Sequence, residues 1–174
     1  MGRLSEVHEV AAILRERGWL RAAPQAVGEL SAGVQAWIAE AVALLGPQCT
    51  TREELAELLA RVFEYDARAL MQQPETHVVI VREGARAVIR ELAGLVLEGG
   101  AVDSQRFKEI VTALKERLPY RGRELFHPLR LVLAGRAGEG DLDRVALLLD
   151  GAAEAGFEVK ACRERVLEFC SAMR

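Results

Sequence analysis

The chain has 174 residues, of which 51% are hydrophobic and 28% are charged, and its formal net charge is −3. This composition is typical of a globular protein with a sizeable core, and it excludes both a disordered chain and a protein that coats nucleic acid by charge alone. Apolar runs stay shorter than the roughly 18 residues of a membrane-spanning helix, so we expect no membrane partner. The three cysteines form no C-x-x-C motif, which predicts reduced thiols and a cytoplasmic location.

Apolar residues recur at helical spacing through the first half of the chain. They predict helices over residues 4–17 and about 31–45. Two overlapping T-x-x-E sequences within residues 50–54 predict the start of a third helix. A short helix is expected over residues 67–71, and Pro74 ends it.

The second half continues the helical pattern, with one exception. Residues 77–81, HVVIV, are rich in β-branched side chains, as strands are. Because no second strand exists to pair with them, we expect the entry or the first turn of the next helix. Four further helices are predicted over residues 83–98, 103–118, 141–154 and 158–172.

These elements together predict an all-α fold, a helical bundle or cage of about eight or nine helices. We expect two subdomains, the first over residues 1–76 and the C-terminal one over residues 77–174. No phosphate-binding glycine loop, dinucleotide-binding glycine motif or zinc-binding H-E-x-x-H sequence occurs. His8, His77 and His127 lie far apart in sequence, and paired acids stand at helix starts, where they favour the helix dipole. We therefore expect no catalytic residue, no metal site and no cofactor.

Positive charge is concentrated in residues 115–136. Six lysines and arginines stand here against Glu116 and Glu124, which gives a local charge of +4 on a chain of net charge −3. A basic segment on an acidic protein is typical of a local contact with phosphate groups. A solvated helix face is the alternative interpretation.

The residues from Gly122 to Leu142 form a longer and more specific pattern. They read G-R-E-L-F-H-P-L-R-L-V-L-A-G from Gly122 to Gly135, and E-G-D-L from Glu139 to Leu142. This pattern resembles the C-terminal anticodon-binding region of bacterial glutamyl-tRNA synthetases. The signature of that family reads approximately G-K-x-L-F-x-P-L-R-x-A-L-T-G, followed by G-P-x-L. The resemblance is strong over this stretch and loose over most of the remaining chain.

The resemblance implies a helical domain that contacts tRNA, with tRNA(Glu) as the expected partner. In that family the anticodon is read by the arginine of P-L-R and by the G-P-x-L loop. These roles fall on Arg130, Glu139, Gly140 and Leu142. Two positions depart from the signature. Glu139-Gly140 replaces Gly-Pro, which removes a rigid proline and adds a negative charge, and Ala134 replaces threonine.

The same residues also suit an RNA contact on physical grounds. Pro128 cannot donate a backbone hydrogen bond, so we expect it to start or kink a helix, with Arg130 projecting from the first turns. A guanidinium there can hydrogen-bond to an unpaired base or stack on it, although an ion pair with Glu124 or Asp141 is the alternative. Three neighbouring arginines are expected to hold phosphates. They are Arg121, Arg123 and Arg136.

Two functional hypotheses follow. The first is a tRNA-binding module, either a fragment of a synthetase or a free-standing relative. The chain has neither the HIGH-like nor the KMSKS-like motif of class I synthetase catalysis, so it is not expected to activate glutamate by itself. The second hypothesis is a helical protein-interaction module that keeps the fold, has lost specific tRNA reading and binds a partner such as a synthetase catalytic domain.

Overall fold

Ten α-helices make up the part of the chain that the structure describes. The computed structural model gives the backbone of residues 3–20 and 30–174, with side chains from Glu6 onward. A 3-10 turn, Gly46–Gln48, follows the second helix. The helices are α1 (Arg3–Glu16), α2 (Ala32–Leu45), α3 (Arg52–Phe63), α4 (Ala67–Leu70), α5 (Pro74–Ile80), α6 (Ala85–Glu98), α7 (Ser104–Arg117), α8 (Arg123–Ala134), α9 (Asp141–Glu154) and α10 (Cys162–Met173).

The all-α prediction is confirmed, since no strand occurs in residues 3–20 or 30–174. The helices outnumber the predicted eight or nine partly because the HVVIV segment does not lead into the next helix. It belongs to the separate short helix α5, where Pro74 occupies the first turn and its missing N–H removes no helical bond. Gly84 then adopts a left-handed conformation with φ +82°, and α6 begins after it. Within the described segments, no helix is long and apolar enough to cross a membrane.

Side-chain caps fix the starts of α3 and α7. The Thr51 hydroxyl accepts a hydrogen bond from the Glu54 N–H at 3.1 Å, and the Glu54 carboxylate accepts from the Thr51 N–H at 3.4 Å, which completes one capping box. The Glu54 carboxylate also accepts from the backbone and side chain of Thr50, and these bonds lower the pKa of Glu54. Asp103 caps α7 by accepting from the Arg106 N–H at 2.7 Å.

One continuous core joins helices from both halves of the chain. α9 packs against α2 and α3, and α10 packs against α4, α6 and α8. Trp37, Phe63 and Phe157 form an aromatic cluster whose ring centroids lie 5.0 to 5.5 Å apart. Trp37 Nε1 also donates to the Leu148 carbonyl of α9 at 3.0 Å. The expected boundary between residues 76 and 77 stays a prediction.

A buried arginine joins the C-terminal ends of α3 and α8. Arg165 of α10 is fully buried, and its guanidinium lies 4.6 Å from the centre of the Tyr65 ring. The carbonyl ends of helices carry partial negative charge, so a cation is favourable there. The guanidinium donates to four main-chain carbonyls, those of Arg61 (3.0 Å), Val62 (2.5 Å), Leu133 (2.7 Å) and Lys160 (2.7 Å). These bonds fix the end of α8, from which the loop of the candidate site begins.

Candidate nucleic-acid interface

α8 begins before the proline that was expected to start or kink it. Gly122, with φ +56°, precedes the helix and accepts hydrogen bonds from the Leu125 and Phe126 N–H groups. Pro128 therefore lies inside the helix, where its missing N–H leaves only the Glu124 carbonyl without a helical partner. Glu124 is exposed, so water can satisfy that carbonyl. Arg130 consequently lies about two turns into α8 and not in its first turn.

Three polar residues of α8 share one face of the helix. Arg123, His127 and Arg130 stand at positions i, i+4 and i+7, which fall on one side of an α-helix. Leu125, Leu129 and Val132 are buried on the opposite side and anchor the helix in the core. The motif therefore places one row of basic side chains at the protein surface while its leucines pack inward.

Arg130 connects α8, the following loop and α9. Its Nε donates to Asp143 Oδ1 at 2.8 Å, its Nη2 donates to Asp143 Oδ2 at 3.1 Å, and its Nη1 donates to the Gly138 carbonyl at 2.7 Å. The guanidinium carbon lies 4.8 Å from the centre of the Phe126 ring, and 13% of the side chain is exposed. The ion-pair partner is thus Asp143, not Glu124 or Asp141. This two-point pair fixes the guanidinium plane and holds the loop against α9.

The loop after α8 lines an open cleft of about 520 Å³. Gly135 ends α8 in a left-handed conformation with φ +75°, and the chain then runs through Gly138 to the start of α9. Four predicted site residues line this cleft: Arg136, Glu139, Gly140 and Leu142. The first three are exposed, whereas the Leu142 side chain is 4% exposed and packs into the core beneath the cleft.

Two further arginines line the cleft, and no sequence motif indicated them as site residues. Arg61 comes from α3, where its Nε lies 3.5 Å from Glu57 Oε1, and Arg144 comes from the second turn of α9. Arg61 is distant from the motif in sequence and reaches the cleft only because α3 packs against α9. Arg144 follows the motif by two residues and reads as an ordinary helix residue. The cleft therefore offers three guanidiniums beside the acidic residues Glu57, Glu139 and Asp141.

Arg121 and Arg123 differ in what their guanidiniums contact. Arg121 bends back onto the end of α7, where it donates to the carbonyls of Lys115 at 2.7 Å, Leu118 at 2.9 Å and Tyr120 at 2.7 Å. Three of its donors are thus used within the protein, although the residue is exposed. Arg123 is exposed in the first turn of α8, beside His127 on the helix face.

His127 is surrounded by positive charge. Arg82, from the turn between α5 and α6, places Nη1 3.0 Å from His127 Nδ1. Partial burial lowers the pKa of His127, and the charges of Arg82, Arg123 and Arg130 lower it further, while Glu139 acts in the opposite direction. Arg82 precedes His127 by 45 residues, so only the packing of α5 and α6 against α8 could reveal its position.

Comparison with known proteins identifies the family. The model of the family described as "Anticodon binding domain" matches residues 9–150, which is most of the chain. The chain belongs to the anticodon binding domain family. The matched segment includes α8, the loop after it and most of α9, so the row of basic residues and the cleft both lie inside it.

Several relatives of this anticodon binding domain are named as glutamate–tRNA ligases. It is 28% identical over 119 residues to glutamate–tRNA ligase 2 of Syntrophus aciditrophicus strain SB, a match that covers 65% of this chain and 23% of that protein. It is 28% identical over 124 residues to glutamate–tRNA ligase of Bacillus thuringiensis strain Al Hakam, covering 71% of this chain and 25% of the relative. The chain thus spans about a quarter of the length of these proteins. No solved structure matches it. The resemblance inferred from the motif is confirmed.

Proposed function

We propose that this anticodon binding domain binds the anticodon loop of tRNA, with tRNA(Glu) as its preferred partner. The observation that carries the proposal is the clamp of Arg130 on Asp143 and Gly138. It joins the basic face of α8 to the cleft-lining loop in a chain of this family. A loop held in one geometry loses little conformational entropy when an RNA binds, which favours affinity.

The proposed roles follow from the contacts of each residue. Arg123 and Arg136 are exposed and hold phosphates of the anticodon loop. Arg121 adds positive charge at the same end of α8, while its guanidinium stays bonded to α7 carbonyls. Glu139 and Gly140 present the loop to an unpaired base, and Leu142 supports that loop from below.

Arg130 acts in this proposal first by positioning the loop. Three of its donors are used on Asp143 and Gly138, and 13% of the side chain is exposed. A base that stacks on Arg130 or hydrogen-bonds to it meets a cation whose orientation is already fixed. The bonds of Arg130 to Asp143 and Gly138 therefore hold the loop in the position from which it contacts a base, even where Arg130 does not contact the base itself.

The test is a titration of fluorescent tRNA(Glu) with the wild-type chain over a series of salt concentrations. Binding through several phosphates gives affinity that falls steeply as salt rises, because bound cations are released from the RNA. A tRNA(Glu) transcript with a substituted anticodon is the specificity control, and we expect weaker binding to it. Absence of salt-dependent binding, or equal affinity for both transcripts at every salt concentration, would contradict anticodon reading.

A second candidate is favoured by the acidic residues of the cleft. Glu57, Glu139 and Asp141 stand beside the three arginines, and Glu139 occupies a position where the family signature has glycine. A cleft with charges of both signs also suits a contact with another protein. In this alternative the chain binds a synthetase catalytic domain and contributes to an aminoacylating assembly. Tight binding of such a domain combined with negligible tRNA affinity at low salt would favour it.

A further inference from the structure

The turn between α5 and α6 brings an arginine to α8 that the anticodon-binding motif does not contain. Arg82 Nη1 lies 3.0 Å from His127 Nδ1, and Arg82 is half-buried while Arg123 nearby is exposed. Because a guanidinium has no acceptor, the contact requires Nδ1 to be the unprotonated nitrogen of a neutral imidazole. The Nε2–H of His127 then remains as a hydrogen-bond donor.

The charges around this group of residues favour an anion. The positive charges of Arg82, Arg123 and Arg130 lower the pKa of His127, because they disfavour its protonated form. The carboxylate of Glu139 acts in the opposite direction. Arg130 is neutralised by its pair with Asp143, whereas no carboxylate lies within ion-pair distance of Arg82 or Arg123 in the described residues. Two uncompensated guanidiniums and an imidazole donor match the oxygens of one phosphate group.

We propose that Arg82, Arg123 and His127 form a binding site for a phosphodiester group of RNA. The site rests on the proposed tRNA-binding function and extends it. It lies on the same face of α8 as Arg130, so an RNA strand that reaches the Gly138–Gly140 loop can pass along this face. The contact is to the RNA backbone and carries no base preference, so it strengthens binding to every tRNA alike.

A phosphate at this site couples binding to protonation of His127. A bound anion favours the imidazolium, so RNA binding raises the pKa of His127 and takes up a proton. Protonation also breaks the bond to Arg82, because Nδ1 then carries a hydrogen, and it frees that arginine for the phosphate. Affinity for RNA therefore rises as pH falls through the range in which His127 titrates.

Arg82→Ala is the first test, with Arg90→Ala as the matched control. Arg90 is an exposed arginine of α6 whose charge acts to lower the pKa of the Cys170 thiol of α10 and is not among the charges that shift the pKa of His127. Each variant therefore removes one positive charge, but only Arg82→Ala removes it beside His127. We expect Arg82→Ala to weaken tRNA binding roughly three- to tenfold at low salt, and to reduce the slope of log affinity against log salt by about 0.7. The control should bind as the wild type does.

The outcomes separate the site from the function it rests on. Absence of tRNA binding by the wild type overturns both. Wild-type binding with equal affinities and slopes for Arg82→Ala and Arg90→Ala overturns the phosphate site and leaves anticodon binding intact. If Arg82→Ala weakens binding of tRNA(Glu) but not of the transcript with a substituted anticodon, the assignment to the RNA backbone is overturned. Removal of a phosphate contact should weaken binding of both transcripts equally.

His127→Gln provides a second and gentler variant. Glutamine keeps a hydrogen-bonding side chain but does not titrate, so the rise in affinity between pH 7.5 and pH 5.5 should be smaller than in the wild type. Circular dichroism at each pH confirms that both proteins are folded. An identical pH dependence in the two proteins would overturn the role of His127.

Discussion

Two arginines near the end of α8 show how similar contacts serve different purposes. Arg165 donates to the Leu133 carbonyl at 2.7 Å, and Arg130 donates to the Gly138 carbonyl at 2.7 Å. Arg165 is fully buried and its four hydrogen bonds go to main-chain carbonyls. Arg130 is partly exposed and paired with the Asp143 carboxylate. The first therefore fixes the fold, and the second lies on the surface that we propose for RNA binding.

Burial explains why the guanidinium of Arg165, unlike that of Arg130, cannot exchange its partners for an external ligand. Removal from water lowers the pKa of Arg165 to about 10, which still leaves the guanidinium charged at neutral pH. Its bonds to the ends of α3 and α8 compensate for that removal, together with the contact to Tyr65. Any substitution leaves several buried carbonyls without a donor, and each such group is costly.

Arg165→Met should therefore have the largest effect on stability. Methionine has a similar length but donates no hydrogen bond, so we expect the free energy of unfolding to fall by about 3–5 kcal/mol. Urea denaturation followed by circular dichroism measures it. The matched control is Arg163→Met on the same helix, because Arg163 is exposed and has one bond of 3.2 Å to the Leu97 carbonyl. Similar losses for both variants would remove the distinction between the two arginines.

Arg130→Ala should have its main effect on RNA binding. We expect tRNA(Glu) binding to weaken by about 1–3 kcal/mol, by analogy with the loss of one specific arginine contact to a nucleic acid, because the variant releases the loop that Arg130 positions. Fluorescence anisotropy measures the affinity, and a folded circular dichroism spectrum excludes unfolding as the cause. An unchanged affinity would remove Arg130 from the interface.

Asp143→Asn separates a positioning role of Arg130 from direct contact. The variant keeps the size of the side chain but weakens the bond to the guanidinium, so the loop is held less firmly. If Arg130 acts by positioning, the affinity for tRNA falls, by less than in Arg130→Ala. Stronger binding than wild type would indicate that Asp143 competes with RNA for a guanidinium that contacts the RNA directly.

The sequence predicted the helices well because helix formation depends on local spacing and caps. Thr51 and Glu54 form the capping box that the T-x-x-E sequence predicts, and Asp103 caps α7 at the start of the helix predicted over residues 103–118. Of the two expectations for Pro128, the start of α8 was wrong, because the exposed Glu124 carbonyl tolerates a proline inside the helix, and the kink stays a prediction. The short helix α5 was not predicted as a separate element, because residues 77–81 were expected to lead into the next helix, whereas Gly84 at φ +82° separates α5 from α6.

The candidate site was predictable only where it follows the motif. Arg123, Arg130 and the Glu139-Gly140 loop are close in sequence and meet around one helix. Arg61, Arg82 and Asp143 depend on how α3, α6 and α9 pack, which no local pattern specifies. Arg121 had the expected residue type and position, but the carbonyls at the end of α7 occupy its donors.

Gly135→Ala changes the residue at the end of α8 that lies between the carbonyl bound by Arg165 and the carbonyl bound by Arg130. Gly135 ends α8 at φ +75°, and a side chain in this left-handed conformation costs about 1–2 kcal/mol. A Cβ there would meet the Tyr65 ring at 3.5 Å, an ordinary contact, so backbone strain dominates the expected loss of stability. Gly140→Ala is the control, because Gly140 has φ −65° and open space around it. Equal stabilities of the two variants would contradict this account.

The smallest expected effect is the pH dependence of stability that arises from His127. Partial burial and the nearby guanidiniums lower its pKa in the folded protein, so below about pH 6.5 the unfolded chain binds more protons than the folded one. Stability contributed by the neutral imidazole is therefore present above that pH and is lost as pH falls towards the folded pKa.

NMR titration of the His127 ring measures the pKa directly. Arg82→Ala should raise it by removing a like charge, and Glu139→Gln should lower it by removing the opposite one. A His127 pKa that responds to neither variant would mean that Arg82 and Glu139 do not act on the charge of His127, and the proposed phosphate site would lose the electrostatic coupling from which it is argued.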